Sequence, residues 1–132
     1  MTSQSVSGQC LCGSVKFEAR PPYSAFRYCH CSRCRKASGS AHAANLFLPE
    51  GQFAWTAGEE FINRYSPPGA KTFAVWFCTR CGSRVPHRIA LRQEFLIPAG
   101  LLENDALAPL GSPETAKLTG SVWPPERAME IV

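Results

Sequence analysis

Seven cysteines are the residues in this chain whose type and spacing could do chemistry, and they fall into three clusters. Cys10-Leu11-Cys12-Gly13 comes first, Cys29-His30-Cys31-Ser32-Arg33-Cys34 second and Cys78-Thr79-Arg80-Cys81-Gly82 third. Thiolates at such spacings are metal ligands. The third cluster has the form of a zinc knuckle, two sulfurs on a tight turn with Gly82 relieving the backbone. A pair of sulfurs cannot complete a tetrahedron, so each pair needs another. The simplest partition joins Cys10, Cys12, Cys78 and Cys81 in a closed four-thiolate site that contributes folding energy. Cys29, Cys31 and Cys34 remain as a three-thiolate site. Its fourth position is left for water, substrate or another side chain, as in catalytic zinc sites. The partition uses every cysteine and calls for two zinc ions per chain.

Other uses of these residues are weaker. His30, His42 or His87 could close the second site. His30 lies between two ligands, so in an extended segment its side chain points away from theirs, and a surface or hydrogen-bonding role is expected. His42 and His87 are expected as exposed polar residues. Iron–sulfur spacings are not matched, and a thioredoxin-like role for Cys78 and Cys81 lacks its βαβ context. The sequence shows no Ser/His/Asp or paired-carboxylate arrangement.

The 132 residues are enough for one domain, 1–132, able to bury a core without disulfides. Hydrophobic residues at 45% and charged residues at 18% exclude a disordered or membrane-spanning chain. The first seven residues lack a basic stretch followed by an apolar one, which points to the cytoplasm, where thiols stay reduced. Seven thiolates and two divalent ions would bring the net charge of +4 close to neutrality. The basic residues beside the cysteines, Arg33, Arg35, Lys36, Arg80 and Arg84, then read as counter-charge, and a nucleic-acid partner is not expected.

The elements that must position the cysteines are short, because eleven prolines and ten glycines punctuate the chain. Strands are expected at 14–18, 25–29, 44–48, 52–55, 61–65, 71–77 and 94–97, from alternation and turn signals. Ser32 is expected to cap a short helix over 33–37 that Gly39 ends. The motif-bearing region runs from about 8 to 100, and the tail 102–132 reads as mostly loop. The class is all-β or β-dominated.

Three stretches together carry a resemblance to a known family. They are Gly8-Gln9-Cys10-Leu11-Cys12-Gly13-Ser14-Val15, then Tyr28-Cys29-His30-Cys31-Ser32-Arg33-Cys34-Arg35-Lys36-Ala37-Ser38-Gly39-Ser40, and Phe77-Cys78-Thr79-Arg80-Cys81-Gly82-Ser83. In order and spacing this resembles the glutathione-dependent formaldehyde-activating family, whose superfamily includes centromere protein V. The resemblance implies a zinc-stabilised β-tent of small stacked antiparallel sheets with at most one or two short helices. It implies the same division of zinc ligands, Cys10, Cys12, Cys78 and Cys81 structural and Cys29, Cys31 and Cys34 catalytic. The implied activity is that of a carbon–sulfur lyase running in the addition direction, joining glutathione and formaldehyde into S-(hydroxymethyl)glutathione.

On that reading Arg35 and Lys36 could attract the carboxylates of glutathione, or be a solvated helix face. Ser38, Gly39 and Ser40 could offer backbone N–H groups to the ligand, or be a helix stop and turn. The sequence departs from the family near its end, with Ala116 about where a histidine is usual and with Trp123 preceding Pro124. This leaves the thiol and aldehyde open. The rival reading is a zinc-stabilised binding module for protein or nucleic acid, with Phe53, Trp55, Trp76 and Phe77 as a stacking surface. Core packing is the more usual fate of such aromatics.

Overall fold

The structure is a computed structural model that describes residues 5–103 and the strand Thr119–Val122. In chain order the elements are β1 (Val6–Gln9), β2 (Lys16–Ala19), β3 (Ala25–Cys29), α1 (Ser32–Ser38), β4 (Ala43–Pro49), β5 (Phe53–Ala57), β6 (Ile62–Tyr65), β7 (Val75–Cys78), β8 (Arg84–Val85), β9 (His87–Ile89), β10 (Glu94–Pro98) and β11 (Thr119–Val122). They form three sheets, in the orders β1-β2-β5, β11-β3-β4-β10-β9 and β6-β7-β8. The expected β-dominated class with small sheets and a single short α-helix holds. No helix among the described residues is long and apolar enough to cross a membrane.

Strands β4 and β10 of the five-stranded sheet are buried on both faces, which is why their sequences read as near-continuous apolar runs rather than a clean alternation. Leu46 and Leu48 of β4 join Phe26, Phe95 and Ile97 on one face, against Val6, Phe17 and Ala19 of the first sheet. Phe53 of β5 stacks on Phe95 at 3.9 Å and on Phe17 at 5.6 Å. Ala43 and Phe47 point the other way, into a cluster with Ala25, Phe73, Ile89, Leu96 and the three thiols of Cys29, Cys31 and Cys34. A third cluster, Cys10, Val15, Cys78 and Val85, joins the first sheet to the third. Each fully buried large side chain is worth about 1.5–3 kcal/mol, and the two larger clusters both use the central sheet.

Several boundaries differ from expectation for local reasons. β1 and the short β8 and β9 do not stand out in the sequence, since two to four residues carry too little alternation. The strand expected at 71–77 is regular only from Val75; Phe73 is buried in the irregular segment before it. Helix α1 is capped by Cys31, not Ser32: the Cys31 Sγ accepts from the Cys34 N–H at 3.4 Å. Within the tail, read as mostly loop, β11 pairs with β3, and it does so in parallel, so the sheets are not wholly antiparallel. Ala116 and Trp123-Pro124 lie outside the described residues.

Gly58 fits a close approach between turns. Its φ of +82° is left-handed, and a Cβ there would lie 1.9 Å from the Ser14 carbonyl oxygen. Gly58→Ala should therefore cost at least about 2 kcal/mol, from the backbone conformation and the displaced Ser14 together. A denaturant melt measures it, and a loss below about 0.5 kcal/mol would contradict the contact.

Candidate metal centres

The first and third cysteine clusters meet because β1 and β7 end side by side in matched turns. In the first, the Gly13 N–H donates to the Cys10 carbonyl and the Cys10 N–H to the Val15 carbonyl, both at 3.0 Å. In the second, the Gly82 N–H donates to the Cys78 carbonyl at 2.7 Å and the Cys78 N–H to the Ser83 carbonyl at 2.9 Å. Gly13 and Gly82 adopt φ of +81° and +80°, which a side chain would resist. The two turns are tied by the Leu11 N–H donating to Ser83 Oγ at 3.0 Å.

This brings Cys10, Cys12, Cys78 and Cys81 together with all four Sγ atoms within 4.8 Å of one another. The Cys10–Cys12 and Cys12–Cys78 sulfurs are 3.7 and 3.9 Å apart. Four sulfurs about 2.3 Å from a tetrahedral centre would be separated by about 3.8 Å, so the donor set fits that ion. The N–H groups of Val15 and Arg80 donate to the sulfurs of Cys10 and Cys78 at 3.3 and 3.4 Å. Ser14 and Ser83 place their hydroxyls 3.2 Å from Cys12 and Cys81. Hydrogen bonding from Ser83 draws the Cys81 thiol down to about 6, and that from Ser14 lowers Cys12. Burial pushes Cys78 up to about 11, a cost that a cation would offset.

The middle group is built differently. Cys29 closes β3, and Cys31 and Cys34 bracket the first turn of α1. All three are buried, and their sulfurs lie within 4.8 Å of one another, Cys29 and Cys31 at 3.7 Å. Hydrogen bonding from Cys34 draws Cys29 down to about 6, while the same contact and burial push Cys34 up. The three sulfurs lie close enough together to share one ion. No histidine joins either group of ligand atoms among the described residues. His30 is half-buried, with its ring 5.4 Å from that of His42, which in turn packs edge-on to Tyr28 at 4.7 Å.

The other sequence candidates sit at the outer surface of α1. Arg35, Lys36, Ser38, Gly39 and Ser40 are exposed. Arg35 Nε donates to the His30 carbonyl at 3.1 Å, Ser38 Oγ to the Cys34 carbonyl at 2.8 Å, and the Ser40 N–H to Ser38 Oγ at 3.3 Å. Gly39, with φ of +68°, ends the helix by donating to the Arg35 carbonyl. Arg33 lies over Phe73 at 5.7 Å and Arg80 over Phe61 at 5.0 Å. Of the basic residues read as counter-charge, Arg84 is half-buried with its Nε and Nη2 enclosed, and burial lowers its pKa against the opposing pull of Cys34, Cys29 and Cys31. Phe53 and Trp55 pack in the core, and Trp76 lies under Arg64 at 4.5 Å.

His87 overturns the expectation of an exposed polar residue: it is 2% exposed. It sits on β9 beside Leu96, between the buried Pro86 and the exposed Arg88, and its ring is 6.0 Å from Trp76. Neither ring nitrogen has a hydrogen-bond partner. Asn45, 1% exposed, likewise has no partner for its amide nitrogen or oxygen. A buried polar group left so costs about 1–3 kcal/mol. The sequence places His87 wrongly at the surface and does not single out Asn45, although Asn45 carries a signal as the lone polar side chain of an apolar run.

Burial, and secondarily the charge of Arg84, holds His87 down to about 3 from an ordinary value of 6.5. Below pH 6.5 the unfolded chain takes up a proton that the folded chain refuses. Stability is therefore unaffected by His87 above pH 6.5 and falls as pH drops towards 3, by up to about 1.4 kcal/mol per unit. Relative to wild type, His87→Gln should flatten the decline between pH 6.5 and 5 in paired denaturant melts. Identical slopes would place the wild-type imidazole in contact with water.

A protein-family model described as glutathione-dependent formaldehyde-activating enzyme matches residues 5–118. No curated protein compared with the chain matches it. Among solved structures, the crystal structure of a Rhodobacter sphaeroides protein is similar, with a TM-score of 0.63 and 24% identity over 88% of this chain and 99% of that one. That likeness supports the fold. The family model spans most of the chain, including all three cysteine clusters, and the chain belongs to the glutathione-dependent formaldehyde-activating enzyme family.

Proposed function

We propose that this protein is a zinc-dependent carbon–sulfur lyase-type enzyme, acting in the addition direction to join a thiol such as glutathione to an aldehyde such as formaldehyde. The observation that carries this is the middle group: three buried sulfurs close enough to share one ion, with no fourth Cys, His, Asp or Glu ligand among the described residues. Cys29, Cys31 and Cys34 would hold one zinc ion and Cys10, Cys12, Cys78 and Cys81 a second. Bound at the middle group, zinc supplies the positive charge that lets a thiol lose its proton near neutral pH. In the reaction the sulfur forms a bond to the carbonyl carbon, and the thiol proton ends on the carbonyl oxygen. Nothing is oxidised or reduced.

The chain's own residues contribute surroundings. Phe73, Ala70 and Ala37 pack into the cluster that contains the three thiols and keep the group dry, which strengthens every charge interaction within it. The N–H of Cys34 steadies the Cys31 sulfur. Arg35 and Lys36, exposed on α1, would draw anionic substrate towards the site rather than grip it, and the 38–40 turn would border its entrance. Reduced thiols in both groups suit a reducing compartment such as the cytoplasm. The whole chain would act as a single zinc-binding domain.

Two substitutions separate the roles of the two groups. Cys81→Ser removes a ligand from the closed site, where binding energy is folding energy, and should sharply reduce soluble yield and melting temperature. Cys31→Ser should leave a folded protein with one zinc ion and no calorimetric binding of glutathione, cysteine or coenzyme A, at least one of which the zinc-loaded wild type should bind. Elemental analysis should give two zinc ions in the wild type, the middle one yielding first to chelator. Equal collapse of both variants, or thiol binding unchanged in Cys31→Ser, would overturn the assignment.

A further inference from the structure

Four side chains near the middle group carry buried polar atoms without hydrogen-bond partners. They are Arg27 at Nε, Asn45 at both amide atoms, Arg84 at Nε and Nη2, and His87 at both ring nitrogens. Register puts three of them on one face of the five-stranded sheet. Arg27 is two residues from Cys29 on β3 and directly opposite Asn45 on β4; His87 is opposite Leu96, which is opposite Phe47. This is the face that carries Cys29, Ala43, Phe47 and Leu96. Arg84 enters from the third sheet, where it pairs with Phe77, and lies within electrostatic range of all three thiols and of His87.

No acidic side chain among the described residues answers these groups. The two ion pairs among the described residues are Arg88 with Glu50 and Arg92 with Glu94, which leaves Arg27 and Arg84 without a carboxylate. The orphan atoms of Arg84 are also specific. Nε and Nη2 form one edge of the guanidinium, with two parallel N–H bonds, the fork that accepts both oxygens of a single carboxylate. No sulfur takes a hydrogen bond from it; the N–H groups donating to Cys10, Cys31 and Cys78 are all backbone. Asn45 offers a further donor and acceptor, as an amide neighbour of that carboxylate would require.

We propose that Arg84, supported by Asn45, is the recognition site for a carboxylate on the thiol substrate, so that the enzyme selects thiols carrying an acid group over neutral ones. This rests on the reading of the middle group as the thiol site. It puts acid recognition on the enclosed Nε–Nη2 edge of Arg84, on the side of the reacting sulfur, and leaves the exposed Arg35 and Lys36 to long-range attraction.

The test is calorimetric titration of zinc-loaded protein with 3-mercaptopropionate and with its uncharged counterpart 3-mercaptopropionamide. Wild type should bind the acid more tightly by about tenfold or more, the scale of a charge-assisted pair. Arg84→Met should bring the ratio close to one while the amide still binds and both zinc ions remain. Arg84→Lys keeps the charge but loses the fork; it should also lose most of the preference, and it decides the matter should the Met variant not fold. Asn45→Ala should weaken the acid with little effect on zinc content. Equal affinities in wild type, or a preference that survives in Arg84→Lys, would overturn the inference while leaving a thiol site in place. Loss of the middle zinc from either Arg84 variant would assign Arg84 to the metal's charge balance and overturn it too. Failure of both thiols to bind wild type would remove the thiol-site reading itself.

Discussion

Sulfurs held 3.7–3.9 Å apart without a disulfide impose the constraint on which this structure turns. As metal-free thiols they can only share protons, which is why Cys29 is drawn down to about 6 while its neighbour Cys34 is pushed up. A cation lets every sulfur in a group be an anion at once. The rest of the chain accommodates that geometry. Strands of two to five residues would be poor at fixing each other's register alone, yet β1 meets the β7–β8 turn at four sulfurs, and β3 meets α1 at three. Cys31 is also the N-cap of α1, so a prospective metal ligand does the work usually given to a Ser or Asp side chain.

The two groups differ in surroundings as much as in number. The four-sulfur group lies at the surface: Cys12 is exposed and its neighbour Leu11 is 84% exposed. A closed tetrahedron has no position for an incoming ligand, so water around it costs little. The three-sulfur group is embedded in an apolar cluster with Phe73, Phe47 and Leu96. In that low-dielectric setting, charges brought near the sulfurs act strongly, and a cation kept there must be matched by anions. Arg84 therefore has a different standing from Arg33, Arg35 and Arg80, which lie at the periphery and engage backbone or aromatic faces.

The partition into four and three was legible because metal-ligand spacing is a local property, and each cluster spans at most six residues. β4 and β10 were legible too, since a fully buried sheet leaves a continuous apolar run. Contacts built from distant segments were not. Arg84 sits three residues past Cys81 and reads as counter-charge for that cluster, yet the β7–β8 hairpin turns it towards the middle one. His87 lies in a strand too short to show alternation, and its burial comes from the five-stranded sheet and from Trp76 on another. Ser14 and Ser83 look like turn residues, and their hydroxyls reach the sulfurs of their own turns, Cys12 and Cys81.

β11 adds a last constraint on how the surroundings of the middle group can vary within this architecture. It lies parallel to β3, with Val122 aligned on Cys29, Ser121 on Tyr28 and Gly120 on Arg27. The chain after the cysteine motifs thus returns to the strand that supplies both a thiol and Arg27, whose Nε is buried. A parallel partner from a distant segment can change its sequence without disturbing β3, because it is an edge strand joined by backbone hydrogen bonds. The sulfur groups sit at junctions between elements, where geometry admits little variation, whereas β11 and β8 approach the middle group from two edges. Sequence change in β11 and at Arg84 can therefore leave the sulfur framework as it is.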